Sequence, residues 1–158
     1  MKKDILVPFD GSENATEALK LALSMAKLMQ EKVIVLNVQS SFHSVHTKLY
    51  FTESTIHDYQ QKLFHETMAS AKNILENSGV EYELKLRIGD AKEQICQEAM
   101  SGHAIQAGCT TVGARMIVMG SRGMNPLLGG LLGSVSYGMV TAAPCPITIV
   151  PFSCNGLP

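Results

Sequence analysis

Short apolar runs alternate along the chain with longer stretches in which apolar residues recur every three or four positions. Asp4 to Phe9 carries the first run, Ile5-Leu6-Val7, as expected of a strand covered on both faces. Asn14, with Glu17 three residues on, predicts a capping-box start for a helix. Ala15, Ala18, Leu19, Ala22, Ala26 and Met29 fall on one face of it. Lys32 to Val38 predicts a second buried strand, and Ser40 to Glu53 lacks a period and reads as a loop. A long helix follows, with Ile56, Tyr59, Leu63, Met68, Ala71, Ile74 and Leu75 as its inner stripe and Gly79 as its stop. Tyr82, Leu84, Leu86 and Ile88 alternate with Glu83, Lys85 and Arg87, the period of a half-exposed strand at a sheet edge. Asp90 with Glu93 opens a third helix, and Met116 to Met119 is a fourth strand. Ser134 to Ala142 predicts a last helix and Ile147 to Val150 a fifth strand.

Strands alternating with helices predict an α/β fold, a parallel sheet with right-handed crossovers and helices on both faces. No repeat, low-complexity tract or linker divides the chain, so residues 1–158 read as one domain. In such folds ligands bind beyond the carboxyl ends of the strands, where the strand order reverses. The Asp10 turn, Val38 and the residues after Met119 all follow strand ends.

The chemistry concentrates after the fourth strand. Gly120-Ser121-Arg122-Gly123 is followed, nine residues later, by Gly133-Ser134-Val135-Ser136 at a helix start. Glycine lets backbone approach an anion closely, helix-start N–H groups point at it, and hydroxyls add donors. Asp10 either caps the helix after it or accepts hydrogen bonds from a ligand. Val38 is either a plain core valine or a pocket wall, and Arg122 either holds a phosphate or points to solvent. Ser134 and Ser136 flank a helix start, where Ser134 could also cap. Pro126, Leu127, Leu128, Leu131 and Leu132 in the spacer suggest packing or an apolar lid.

The spacing resembles the nucleotide-binding signature of the universal stress protein family. Ile5-Leu6-Val7-Pro8-Phe9-Asp10-Gly11-Ser12 is similar to that family's opening strand and turn, and Ala143-Pro144-Cys145-Pro146 precedes an apolar strand as it does there. The resemblance implies an open five-stranded, Rossmann-like sheet of the adenine nucleotide alpha hydrolase type, with strand order 3-2-1-4-5. It implies binding of ATP, or of AMP or ADP, with Mg2+ as a possible companion. The implied contacts are Pro8, Phe9, Asp10 on the ribose, Val38 on the adenine, Met119, Gly120, Arg122, Gly123, Gly133, Ser134, Val135 and Ser136. It also implies a homodimer paired through the last strand. Two features depart from the family pattern. Met100 to Gly113 is longer and richer in glycine than the usual third helix, and Arg115 stands where aspartate is common.

Composition narrows the alternatives. Of 158 residues 46% are hydrophobic and 17% charged, as in a soluble globular protein. Thirteen basic against fourteen acidic residues give no field favouring nucleic acid or an anionic membrane. No apolar run approaches a membrane span, and Pro8 and Asp10 end the first run too early for a signal peptide. Cys96, Cys109, Cys145 and Cys154 show no metal spacing, so free thiols and a cytoplasmic location are expected, with Cys145 a buried hydrophobe. His43 and His46 lack further ligands for a metal, and His57, His65 and His103 read as surface residues. There is no Gly-Lys-Ser/Thr loop, no GxGxxG and no carboxylate marked as a water-activating base, so a slow ATPase is the most chemistry expected. The readings that remain are a nucleotide-dependent stress regulator and a dimeric interaction module that binds no nucleotide. Electron transfer on a flavin lacks the aromatic pair it needs.

Overall fold

A computed structural model describes residues 3–42, 50–101, 113–123 and 132–151. Strand β1 (Asp4–Pro8) runs through the middle of the sheet, and Ile5, Leu6 and Val7 are wholly buried. Helix α1 (Glu13–Met29) follows, then β2 (Lys32–Gln39), α2 (Glu53–Glu76), β3 (Tyr82–Ile88) and α3 (Ala91–Met100). Strand β4 (Ala114–Gly120), helix α4 (Ser134–Ala142) and β5 (Ile147–Val150) complete the described order. The strands are parallel, as the alternation of elements predicts, and their order β3-β2-β1-β4-β5 is the one the family resemblance implies. One core lies between the sheet and α1 and α2, built on Val7, Leu19, Ala22, Val35, Met68 and Leu75. The second lies between the opposite face and α3 and α4, built on Leu6, Leu36, Ile95, Ile117 and Met139. The strand order reverses between β1 and β4, and a crevice opens at their carboxyl ends.

Several local expectations are corrected. Helix α1 is capped by Ser12, whose Oγ accepts from Ala15 N at 3.1 Å, rather than by Asn14. Gly11, at φ +84°, turns the chain into that cap. Asn14 is therefore a buried first-turn residue, and Glu17 pairs with Lys20 at the surface instead of closing a capping box. Met29 and Tyr59, expected on inner faces, are exposed. In α1 the buried stripe runs through Leu23 and Ala26, while Tyr59 meets Phe42 edge-on at 5.9 Å.

Strand β3 is an edge strand as expected, but its apolar row is poorly covered, with Tyr82 and Leu84 exposed. Its polar face is the better tied one. Lys85 Nζ and Arg87 Nε donate to the two carboxylate oxygens of Glu98 on α3, at 2.7 and 2.6 Å. Burial pushes the Glu98 carboxyl up, and the hydrogen bonds from Lys85 and Arg87 outweigh it and hold it below the ordinary value. Strand β4 begins two residues earlier than expected and includes Arg115, whose Nε donates to the buried Glu31 carboxylate at 2.6 and 2.7 Å. Residues 102–112, which hold most of the predicted insertion, lie outside the described residues, as do His43, His46, His103, Cys109, Pro126, Leu127, Leu128, Leu131 and Cys154.

Candidate functional site

The crevice holds a cavity of about 520 Å³, within the range of small-ligand sites. The end of β1 and the turn after it supply Pro8, Phe9 and Asp10, and β2 supplies Leu36 and Val38. The far wall is Met119 and Gly120 at the end of β4, Arg122 and Gly123 after it, and Leu132 to Ser136 leading into α4. Each nucleotide contact that the family resemblance implies lines this one cavity. Ala15, Leu36, Ala91 and Ile95 line it too and were not foreseen, and they are joined by Leu132 of the spacer, where packing or an apolar lid is expected. Two of these carried a signal. Leu36 lies two positions before Val38 on the same strand face, and Ile95 one helical turn after Ala91.

Asp10 does not cap α1. Its Oδ1 accepts from the Ser12 amide at 3.0 Å and so holds the capping residue in place. A Cβ added to Gly123 would lie 2.7 Å from Asp10 Oδ2, so the turn after β4 and the Asp10 carboxylate share very little space. Asp10 and Arg122 are the charged residues among the described lining. One acid and one base leave the site near neutrality, and its field comes largely from backbone.

That field originates at α4. Gly133 is the N-cap, and it offers no side chain to the helix end. The first intrahelical bond described runs from Tyr137 N to Gly133 O at 2.9 Å. The amides of Ser134, Val135 and Ser136 consequently have no intrahelical acceptor, and they carry the positive end of the helix dipole. Ser134 is exposed at the first helical position. Ser136 differs, because it is buried and its Oγ donates to Gly120 O at 2.9 Å. Its hydroxyl proton is engaged in the protein and cannot also reach a ligand.

The three glycines serve different purposes. A Cβ on Gly120 would stand 2.6 Å from Asn14 Oδ1 and 3.0 Å from the Asn14 carbonyl carbon, so this glycine permits the close approach of α1. Gly133 has φ −70° and ψ 163°, open to any residue, and an added Cβ would make ordinary contacts with Ser121 O, Arg122 Cα and Gly123 N, at 3.5, 3.6 and 3.9 Å. Its N–H donates to Ser121 O at 2.7 Å, which removes it from the set of open donors.

Behind the cavity, Cys96 and Cys145 are half-buried, and burial raises both thiols above their ordinary value. They pack as small apolar groups, with Cys96 Sγ 3.4 Å from Ala142 O. His57 and His65 lie exposed on α2. Among the described residues no group of three His, Cys, Asp or Glu could hold a metal ion, and no helix is long and apolar enough to cross a membrane.

The family model described as the universal stress protein family matches residues 1–151. The chain belongs to the universal stress protein family. A putative universal stress protein of Staphylococcus aureus (strain USA300) is 30% identical over 152 residues, spanning 94% of this chain and 83% of that protein. Among solved structures, the hypothetical protein MJ0577 is similar with a TM-score of 0.78 and 27% identity, over 97% of this chain and 98% of its own. A universal stress protein family member from Arabidopsis thaliana with AMP bound has a TM-score of 0.64 and 21% identity, over 99% and 95%. Family membership agrees with the resemblance carried by the Asp10 turn and the paired glycine motifs. In this universal stress protein both motifs open on the same cavity.

Proposed function

We propose that the cavity binds an adenine nucleotide, ATP or its shorter relatives, and that the protein acts in the cytoplasm as a nucleotide-dependent regulator of a stress response. The observation that carries this reading is the start of α4. The three residues whose amides lack intrahelical acceptors line the cavity that Asp10 and Val38 also line. A helix N-terminus of this kind suits phosphate, and the Arabidopsis relative, whose structure holds AMP, supports an adenine nucleotide as the ligand. Phosphates would rest on the amides of Ser134, Val135 and Ser136, with the Ser134 hydroxyl and Arg122 beside them. Ribose hydroxyls would donate to Asp10, and the adenine would lie along Val38 and Leu36. Pro8, Phe9, Met119, Gly120, Gly123 and Gly133 would shape the walls. Any Mg2+ would arrive on the triphosphate, since Asp10 is the one carboxylate among the described lining residues.

The same lining offers no second carboxylate or histidine to activate water, so hydrolysis should be slow, far below the roughly 10 s⁻¹ of ordinary enzymes. Strand β5 ends the sheet, and its four residues are all half-buried. Tyr137 and Val140 stand exposed on the neighbouring α4. An apolar edge of this kind invites pairing, and we place a homodimer contact there. The reading without nucleotide gains something from Gly120, whose packing against Asn14 would be needed whatever the cavity holds. Heating the purified protein and recording the absorbance and phosphate content of what is released separates the two. An adenine spectrum with phosphate supports nucleotide binding. If nothing is released, and added ATP gives no heat on titration, the interaction-module reading stands instead.

A further inference from the structure

We propose that Asn14 is a positioning residue for the phosphate end of the cavity, holding the turn after β4 against both α1 and the end of β5. This role rests on the nucleotide reading above. Asn14 is 4% exposed in the first turn of α1, although Ser12 already supplies the cap and asparagine has no intrinsic preference for a helix interior. Its side chain reaches across the molecule. Nδ2 donates to Val150 O at the end of β5 at 3.2 Å, while Oδ1 accepts from Arg122 N at 3.3 Å and Ser121 Oγ at 3.4 Å. Val150 O also accepts from Ser121 N at 2.8 Å, so Asn14 and the turn share the strand end as one acceptor. Individually the amide's bonds are long, but they close on a point where Gly120 leaves no room for a Cβ.

The chain of contacts then continues to the phosphate donors. Ser121 O accepts from Gly133 N at 2.7 Å, and Gly133 is the N-cap of α4. Asn14 thus fixes Ser121, and Ser121 fixes the helix start whose first residues line the cavity. Only a short amide suits this position. It must give a donor to a carbonyl and an acceptor to an N–H at once, which aspartate and leucine cannot do. Asn14 does not itself line the cavity, so its influence on a ligand is through the turn.

The test compares ATP with adenosine in Asn14→Ala by calorimetry, and follows amide exchange in the ligand-free protein. Loss of the buried amide should weaken ATP about tenfold while adenosine, which lacks phosphates, changes by less than about twofold. Exchange at Arg122 and Ser121 should speed up, with that of β2 unaltered. A variant whose ATP-to-adenosine ratio and turn exchange match the wild type would overturn the role and leave the nucleotide reading intact. A wild-type protein that binds neither ligand would overturn that reading and this role together. Should Asn14→Ala not fold, Asn14→Ser leaves a hydroxyl and room for a water, and the same comparison applies to it.

Discussion

Ser134 and Ser136 stand two residues apart, and the structure places their hydroxyls differently. Ser136 is 3% exposed, with its hydroxyl bonded to Gly120 O at 2.9 Å. Changing it to alanine removes one buried hydrogen bond and leaves a strand-end carbonyl without that donor. The loss should be about 1 kcal/mol of stability, which for a domain of this size lowers Tm by about 2–4 °C. The hydroxyl has no free proton for a phosphate, so ATP affinity should change by less than about threefold, the size of a small shift in the helix start. Ser134 is exposed at the first position of α4, where its hydroxyl can turn toward an anion. Ser134→Ala should leave Tm unchanged but remove a charge-assisted hydrogen bond of about 1.5–3 kcal/mol, a ten- to hundredfold loss of affinity. Thermal unfolding and ATP calorimetry on both variants give four numbers. If Ser136→Ala loses affinity at unchanged Tm while Ser134→Ala binds as before, the roles of the two hydroxyls are reversed and the reasoning from Gly120 O is wrong.

Four other outcomes follow from the geometry. Asp10→Ala should weaken ATP and AMP by the same factor, since a ribose contact does not count phosphates; calorimetry showing a loss for ATP alone would assign Asp10 to the phosphates. Gly120→Ala forces a Cβ to within 2.6 Å of Asn14 Oδ1 and should cost about 1–3 kcal/mol, seen in urea unfolding. The depressed Glu98 carboxyl contributes stability that is present above the ordinary glutamate range and disappears as pH falls through its lowered pKa. Tm should therefore fall more steeply with acid in the wild type than in Glu98→Gln, measured by calorimetric scans across that range. Ile149→Lys places a charge on the β5 edge and should shift the protein toward monomer in light scattering; an unmodified protein that is already monomeric at micromolar concentration would remove the dimer from the account.

Much of this architecture is legible in the sequence because its physical causes are local. The short run Ile5-Leu6-Val7, closed by Pro8 and rich in β-branched residues, reads as a strand buried on both sides, and the alternation from Tyr82 to Ile88 marks an edge. The glycine and serine spacing points to the start of α4 for the same reason. What the sequence conceals is long-range. Asn14 reads as a cap because capping is the local use of asparagine, and nothing nearby reveals that Val150 and Arg122 come within its reach. Gly120 reads as a phosphate glycine, yet its missing Cβ makes room for α1. Likewise Glu98 shows no sign in sequence of meeting Lys85 and Arg87, because that encounter depends on how α3 lies across β3. Such pairings belong to the packing of elements rather than to their periods.

The central claim is that phosphate rests on the backbone at the start of α4. Nitrogen-15 amide spectra recorded during ATP titration test it most directly. The account predicts large shifts at Ser134, Val135 and Ser136, smaller ones at Gly123 and Val38, and with adenosine in place of ATP the shifts at residues 134–136 should shrink while that at Val38 remains. Saturable ATP binding that leaves the amides of Ser134, Val135 and Ser136 unmoved would contradict it.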